Sequence, residues 1–219
     1  MQLQLNLGRQ VFSGVLMAVA MLASLGCTQS LMLQPEAEVP APLAMQLPLA
    51  IGVHYPEAFR NYVYAENTED RPNWAISCGP SQVALFEAVL PSLFSRVVHV
   101  DVTSRPDDPE LDAILMPEVA EMQFALPSET RTEMYEAWIR YKITMYQPDG
   151  QPIVEFPVTG YGKSTTALFK GKDDGLNDAI NSAYRDVGAK LTLGFTQVGA
   201  VQPWLADKQA ESNERDTER

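Results

Sequence analysis

The chain has 219 residues, 46% hydrophobic and 20% charged, which suits one globular domain with short appendages and excludes a disordered or fibrous protein. Sixteen Lys and Arg against 28 Asp and Glu give a net charge of −12, a balance that repels nucleic-acid phosphates and anionic lipid head groups. Two His and two Cys leave little material for a structural zinc site or for disulfide stapling.

Residues Val11–Leu25, "VFSGVLMAVAMLASL", form an unbroken apolar run. It fits a signal-peptide hydrophobic region and falls short of the ~20 residues that a membrane-spanning helix needs. Arg9 is the only ionisable side chain before Cys27, so loss of residues 1–26 as an export signal takes the charge from −12 to −13. Ser24-Leu25-Gly26-Cys27 resembles the lipobox of bacterial lipoproteins, with Ser24 where the family usually has Leu. The resemblance implies cleavage before Cys27, diacylglycerol on its thiol and an acyl chain on its new amino group. Each buried methylene contributes ~0.8 kcal/mol, so several chains make attachment nearly permanent. Thr28 stands where Asp would signal inner-membrane retention in that family, which implies the periplasmic face of an outer membrane.

Residues 27–49 carry prolines at 35, 40, 42 and 48 and no sustained periodicity. They predict a tether that, extended at ~3.1 Å per residue, reaches several tens of ångströms. A body of residues 50–206 follows. "AIGVHYP" and "NYVYAE" predict strands, with Val53 and Tyr55, then Tyr62 and Tyr64, alternating along one face. Residues 77–97 predict a helix: Pro80 suits its first turn, and Val83, Phe86, Leu90, Leu93, Phe94 and Val97 recur at helical spacing. Pro91 is expected to kink that helix or end its first half.

Residues 97–102, "VVHVDV", predict a buried strand, and "DAILMPEVAEMQFAL" a longer one bent at Pro117. Then "YEAWIRYKITMYQ" and "PIVEFPVTGYG" predict a hairpin turning on Pro148-Asp149-Gly150. In its first arm Tyr135, Ala137, Ile139, Tyr141, Ile143 and Met145 share a buried face, opposite a wet face of Glu136, Trp138, Arg140, Lys142 and Thr144. Residues 175–195 predict an amphipathic helix through Leu176, Ala179, Ile180, Ala183, Val187 and Leu191, with Asp173 or Asp174 near its N-cap. The polar stretch 207–219 predicts a disordered tail.

The expected fold class is therefore α+β: a single domain with a mostly antiparallel sheet of four to five strands and two helices packed on one face, in the order β-α-β-β-β-β-α. With its lipobox, tether and "DAILMPEV" strand before a long hairpin, the chain resembles small envelope lipoproteins of the lipopolysaccharide-assembly and ABC-transport-auxiliary type. That resemblance covers most of residues 50–200 and implies no catalytic residues.

Other constellations point less far. Gly162-Lys163-Ser164 looks like the end of a phosphate-binding loop, but Pro157 occupies the position of its first glycine and strand pattern surrounds it. Cys78-Gly79-Pro80-Ser81 resembles a thioredoxin-type motif whose second cysteine is replaced by serine; a helix N-terminus activates a thiol, but no resolving thiol remains once Cys27 is acylated. His54 and His99 read as packed or rim histidines, and no Ser, His and Asp set is readable from spacing. Asp107, Asp108 and Glu110 in a Pro-rich loop lack the ligand spacing of a calcium loop.

Trp138, Arg140 and Tyr146 lie opposite the apolar stripe of the hairpin and suit a partner interface, or equally a second packing layer under the tether. The expectation is a non-enzymatic lipoprotein anchored through Cys27, an accessory or assembly component of an envelope transport complex. It takes no cofactor, metal, nucleotide or nucleic acid, and its partners are a membrane and an envelope protein. Two alternatives are a carrier of lipid or another small apolar ligand and a thiol-dependent envelope enzyme using Cys78.

Overall fold

The structure is a computed structural model that describes residues 31–33, 35, 45–67, 73–101, 108, 110–165 and 172–217. The elements are β1 (Leu31–Leu33), β2 (Leu47–Val53), α1 (Glu57–Arg60), β3 (Val63–Glu66), β4 (Trp74–Ser77), α2 (Gly79–Leu93), β5 (Phe94–His99), β6 (Ala113–Ala125), β7 (Met134–Tyr146), β8 (Pro152–Thr165), α3 (Lys172–Gly194), a 3-10 turn (Phe195–Gln197) and α4 (Gln202–Thr217). Residues 1–26, expected to be an export signal, and Cys27, Thr28 and Asp107 lie outside the described residues.

The β7–β8 hairpin organises the fold. Gly150 adopts φ 93°, a left-handed conformation open to glycine, and Asp149 accepts a hydrogen bond from the Gln151 amide at 2.9 Å to close the turn. Tyr135, Ala137, Ile139, Tyr141, Ile143 and Met145 are all buried, as their alternation predicts. Against them lies α3, whose Leu176, Ala179, Ile180, Ala183, Val187 and Leu191 are buried too. Gly160 and Gly162 on β8 permit the approach: a Cβ there would stand 2.3 Å from the Ala183 carbonyl oxygen and 2.1 Å from that of Ala179. Helix α2 shares this sheet face, with the Phe86 ring edge-on to Tyr141 at 5.4 Å.

The main sheet has the order β5-β2-β6-β7-β8. The α+β class with helices on one face stands, but the sheet is mixed. β2 runs parallel to both β5 and β6, while β7 runs antiparallel to its two neighbours, β6 and β8. The parallel pairing follows from α2, which returns the chain across the sheet so that β5 re-enters in the direction of β2. The helix expected over 77–97 ends at Leu93, and Phe94 to Val97 already belong to β5. Pro91 sits exposed in its last turn without ending it. Asp173 and Asp174 lie inside α3, which starts at Lys172, rather than at its cap.

Three further segments depart from expectation. The short strand "WAIS" is β4, the centre of a second sheet of order β1-β4-β3 that packs over Phe124 through the rings of Trp74 and Tyr64, at 5.1 and 5.6 Å. The presumed tether is partly structured: Leu31–Leu33 pair in parallel with β4, buried Pro35 accepts a hydrogen bond from the Ser81 hydroxyl, and Leu47–Leu49 begin β2. Pro48 is accommodated because it falls at the register shift between Leu47 and Ala50, where the ladder is interrupted. The polar tail is helical as far as Thr217, within α4. Trp204 and Leu205 pack against the core, and Lys208 pairs with Asp112 at 3.5 Å and Glu211 at 3.0 Å.

The open edge of β8 is guarded. The Tyr161 amide donates to the Asp186 carboxylate at 2.9 Å, and Lys190, paired with Asp186 at 2.7 Å, donates to the Thr159 carbonyl at 2.8 Å. Pro157, two residues back along the same outward row, offers no N–H.

Candidate functional site

With α2, α3 and the small sheet on one face of the main sheet, the opposite face carries the side chains that alternate outward from β6, β7 and β8. Three cross-strand rows define its centre: Gln123, Trp138 and Tyr161; Glu121, Arg140 and Thr159; Glu118, Lys142 and Pro157. The Trp138 and Tyr161 rings stand 5.2 Å apart, tilted by 37°. Arg140 pairs with Glu121 at 3.0 Å, and Gln123 donates to the same carboxylate at 2.5 Å. Lys142 bridges Glu118 at 2.7 Å and Glu155 at 3.7 Å. These pairs are half-exposed and add little to stability. Partial desolvation, then the Glu136 carboxylate beside it, raises the Tyr161 phenol above its ordinary value.

Glu121, Gln123, Trp138, Arg140 and Thr159 line a shallow groove of about 170 Å³. A second depression of about 290 Å³ lies between β8 and the C-terminal part of α3, over Phe156, Val158 and Leu191. Both fall below the roughly 300–1,000 Å³ typical of sites that enclose a small molecule. Their form suits surface contact better than ligand enclosure.

Of the three predicted interface residues, Trp138 and Arg140 meet in one groove and Tyr146 does not join them. Tyr146 is half-buried and pairs with Ile114 and Pro152 at the other end of β7, about 27 Å away at ~3.4 Å per residue. Glu121, Gln123, Thr159 and Tyr161 escaped the sequence reading. The hairpin register carries that signal, because it sets β6 and β8 residues beside each position of β7.

Cys78 is the N-cap of α2, as the motif suggests, but the thiol is 1% exposed with Met122 sulfur 3.5 Å away. Burial pushes it up to about 11, against a smaller opposite pull from Tyr184. It therefore stays protonated at neutral pH, the reverse of an activated helix-terminal cysteine. Burial likewise raises the phenols of Tyr55, Tyr141 and Tyr184. The folded state disfavours the ionised forms of all four groups, so the unfolded chain loses these protons first. Their contribution to stability is complete below about pH 9 and is lost as pH rises from there past 11. Thermal melts between pH 7 and 11 should show Tm falling steeply above 9, with a shallower fall in Cys78→Ala; a flat profile contradicts this.

The other candidates are placed without chemistry. His54 Nδ1 lies 3.1 Å from the Val100 carbonyl oxygen, and exposed His99 stands 3.5 Å from Glu87. Asp108 is paired with Arg96. Gly162, Lys163 and Ser164 are within β8, not at a helix N-terminus. No group of three or more His, Cys, Asp or Glu side chains that could hold a metal ion occurs among the described residues.

No protein-family profile matches the chain, and neither does any curated protein. Among solved structures it is similar to protein XCC0632 from Xanthomonas campestris, of the family DUF330, with a TM-score of 0.51 at 14% identity, over 84% of this chain and 99% of that one. A minor lipoprotein from Acinetobacter baumannii gives a TM-score of 0.37 at 13% identity, covering 68% and 91% of the two chains. A lipoprotein of Caulobacter crescentus CB15 gives 0.34 at 14%, covering 47% and 73%. The first of these likenesses establishes a shared fold.

Proposed function

We propose that the protein is a lipid-anchored component of a bacterial cell envelope, fixed through Cys27 to the periplasmic face of the outer membrane, which binds a protein partner without catalysing a reaction. The observation that carries this reading is the pair of half-buried Trp138 and exposed Tyr161, flanked by exposed Arg140, on the sheet face that α2 and α3 leave uncovered. Aromatic and Arg side chains are the commonest anchors of protein interfaces, and a rim of exchangeable ion pairs around them supplies specificity. The lipid restricts the protein to a surface and raises the effective concentration of a weak contact there. An envelope transport or assembly complex is the partner class that the lipobox and the body together favour.

Mild crosslinking of membranes followed by recovery from detergent extract tests the reading. A stoichiometric partner should co-purify, and the paired substitution Trp138→Ala and Arg140→Ala should lower its recovery about tenfold or more. Recovery of the unmodified protein alone would overturn the proposal. Cys27→Ala should move the protein out of the membrane fraction or leave it unprocessed at the mass of the full chain; unchanged fractionation and mass would refute the anchor.

A further inference from the structure

Resting on the Cys27 anchor, we infer that the body stands end-on at the bilayer, held within about 14 Å of its lipid anchor, so that its groove docks a partner close to the membrane surface. The inference begins with β1. Leu31 pairs with Trp74, Met32 with Ala75 and Leu33 with Ile76, all in parallel, and Pro35 is buried under the Ser81 hydroxyl. Leu31–Leu33 are thus built into the small sheet. Four Cα steps separate Leu31 from Cys27, and a chain covers at most ~3.3–3.6 Å per residue.

The direction of the strands fixes which end of the body faces the lipid. Because β1 runs parallel to β4, the chain preceding Leu31 leaves at the Trp74 end of that strand. The Trp74 ring lies on Phe124, next to the last residue of β6, while Cys78, past the other end of β4, lies at Met122. Leu31 therefore lies at the end of the small sheet nearer the β6–β7 turn, residues 126–133. The β7–β8 turn, residues 147–151, is at the far end of β7, roughly 40 Å away for a strand of 13 residues. Trp138 is four residues from the near end of β7, so the aromatic groove lies on the membrane-proximal half of its sheet face. A partner that fills this groove must have its contact surface close to the bilayer.

Charge does not create this placement. The turn carries Glu129 and Glu133 with Arg131, within a body of strong net negative charge, so nothing in it draws lipid head groups. The short leash does so instead.

The test uses the full-length acylated protein in phosphatidylcholine vesicles bearing an acceptor dye on a head group. A donor dye is attached at Ser128→Cys or Gln147→Cys, both exposed turn positions, while Cys78 is buried and Cys27 blocked. Energy transfer to the lipid should be several-fold stronger from position 128 than from 147. An insertion of about ten Gly and Ser residues after Gln29 should shrink the difference. Equal transfer from the two positions in protein shown by mass to be acylated, or a difference unaffected by the insertion, overturns the inference and leaves the anchor standing. Mass showing no acylation at Cys27 overturns both.

Discussion

Gly162→Val is expected to cost about 3 kcal/mol or more of folding stability. A side chain at 162 meets backbone rather than flexible side chains: its Cβ would lie 2.1 Å from the Ala179 carbonyl oxygen, 2.3 Å from the Ala183 amide nitrogen and 2.8 Å from the Ser182 carbonyl carbon. Relief requires α3 to lift from β8, which exposes Ala179, Ile180 and Ala183 and opens the largest helix-to-sheet contact among the described residues. A loss of that size lowers Tm by roughly 6–12 °C in a chain of this length. Gly199→Ala is the matched control. A Cβ there meets nothing within 4 Å, so its effect should stay within about 0.5 kcal/mol. Near-equal melting temperatures for the two variants would show that the glycine contact is not what sets the spacing of helix and sheet.

Tyr141→Ala is expected to cost about 4 kcal/mol in denaturant unfolding. The side chain is fully buried where α1, α2 and β7 converge, with the Phe59 and Phe86 rings at 5.9 and 5.4 Å. Its hydroxyl also donates to Gln82 Oε1 at 3.3 Å, and Gln82 Nε2 donates to the Phe59 carbonyl at 2.6 Å. Tyr141→Phe keeps the ring contacts and leaves the Gln82 oxygen without that donor, at a cost of about 1 kcal/mol. The gap between the two variants measures ring packing. If Phe were as damaging as Ala, the polar chain from Tyr141 through Gln82 to Phe59 would be the principal term.

Much of this core was legible because it obeys short periods. The alternation from Tyr135 to Met145 and the spacing from Leu176 to Leu191 each name a buried face correctly. Pro148-Asp149-Gly150 names the turn between two strands. The candidate groove was only half legible, and the reason is one residue of register. A symmetric turn pairs Tyr146 with Pro152 and by extension sets Trp138 opposite Gly160. The ladder slips between Met145 and Tyr146, so Trp138 faces Tyr161 instead, and Gly160 falls opposite Ile139 under α3. No local pattern announces such a bulge.

The misread segments failed for a different reason. β1 and β4 are three and four residues long, too short for any period to establish itself; β4 owes its strand character to its ladders with β1 and β3 and to the Trp74 contact with Phe124. Prolines made residues 27–49 look uniformly unstructured, although Pro35 and Pro48 occupy places where no ladder donor is required. In α4, polarity hid a helix that Trp204 and Lys208 fasten to the body.

The guarded edge of β8 has a consequence for life on a surface. Proteins confined to a lipid plane, as the proposed anchor would confine this one, encounter one another far more often than in free solution, and an unsealed strand row would then template ribbons of stacked copies. Here Asp186 takes the Tyr161 donor, Lys190 takes the Thr159 acceptor, and Pro157 withholds a donor. Crowding can therefore rise without the sheet growing from one molecule into the next along this margin, and recognition falls to the side chains of the broad face.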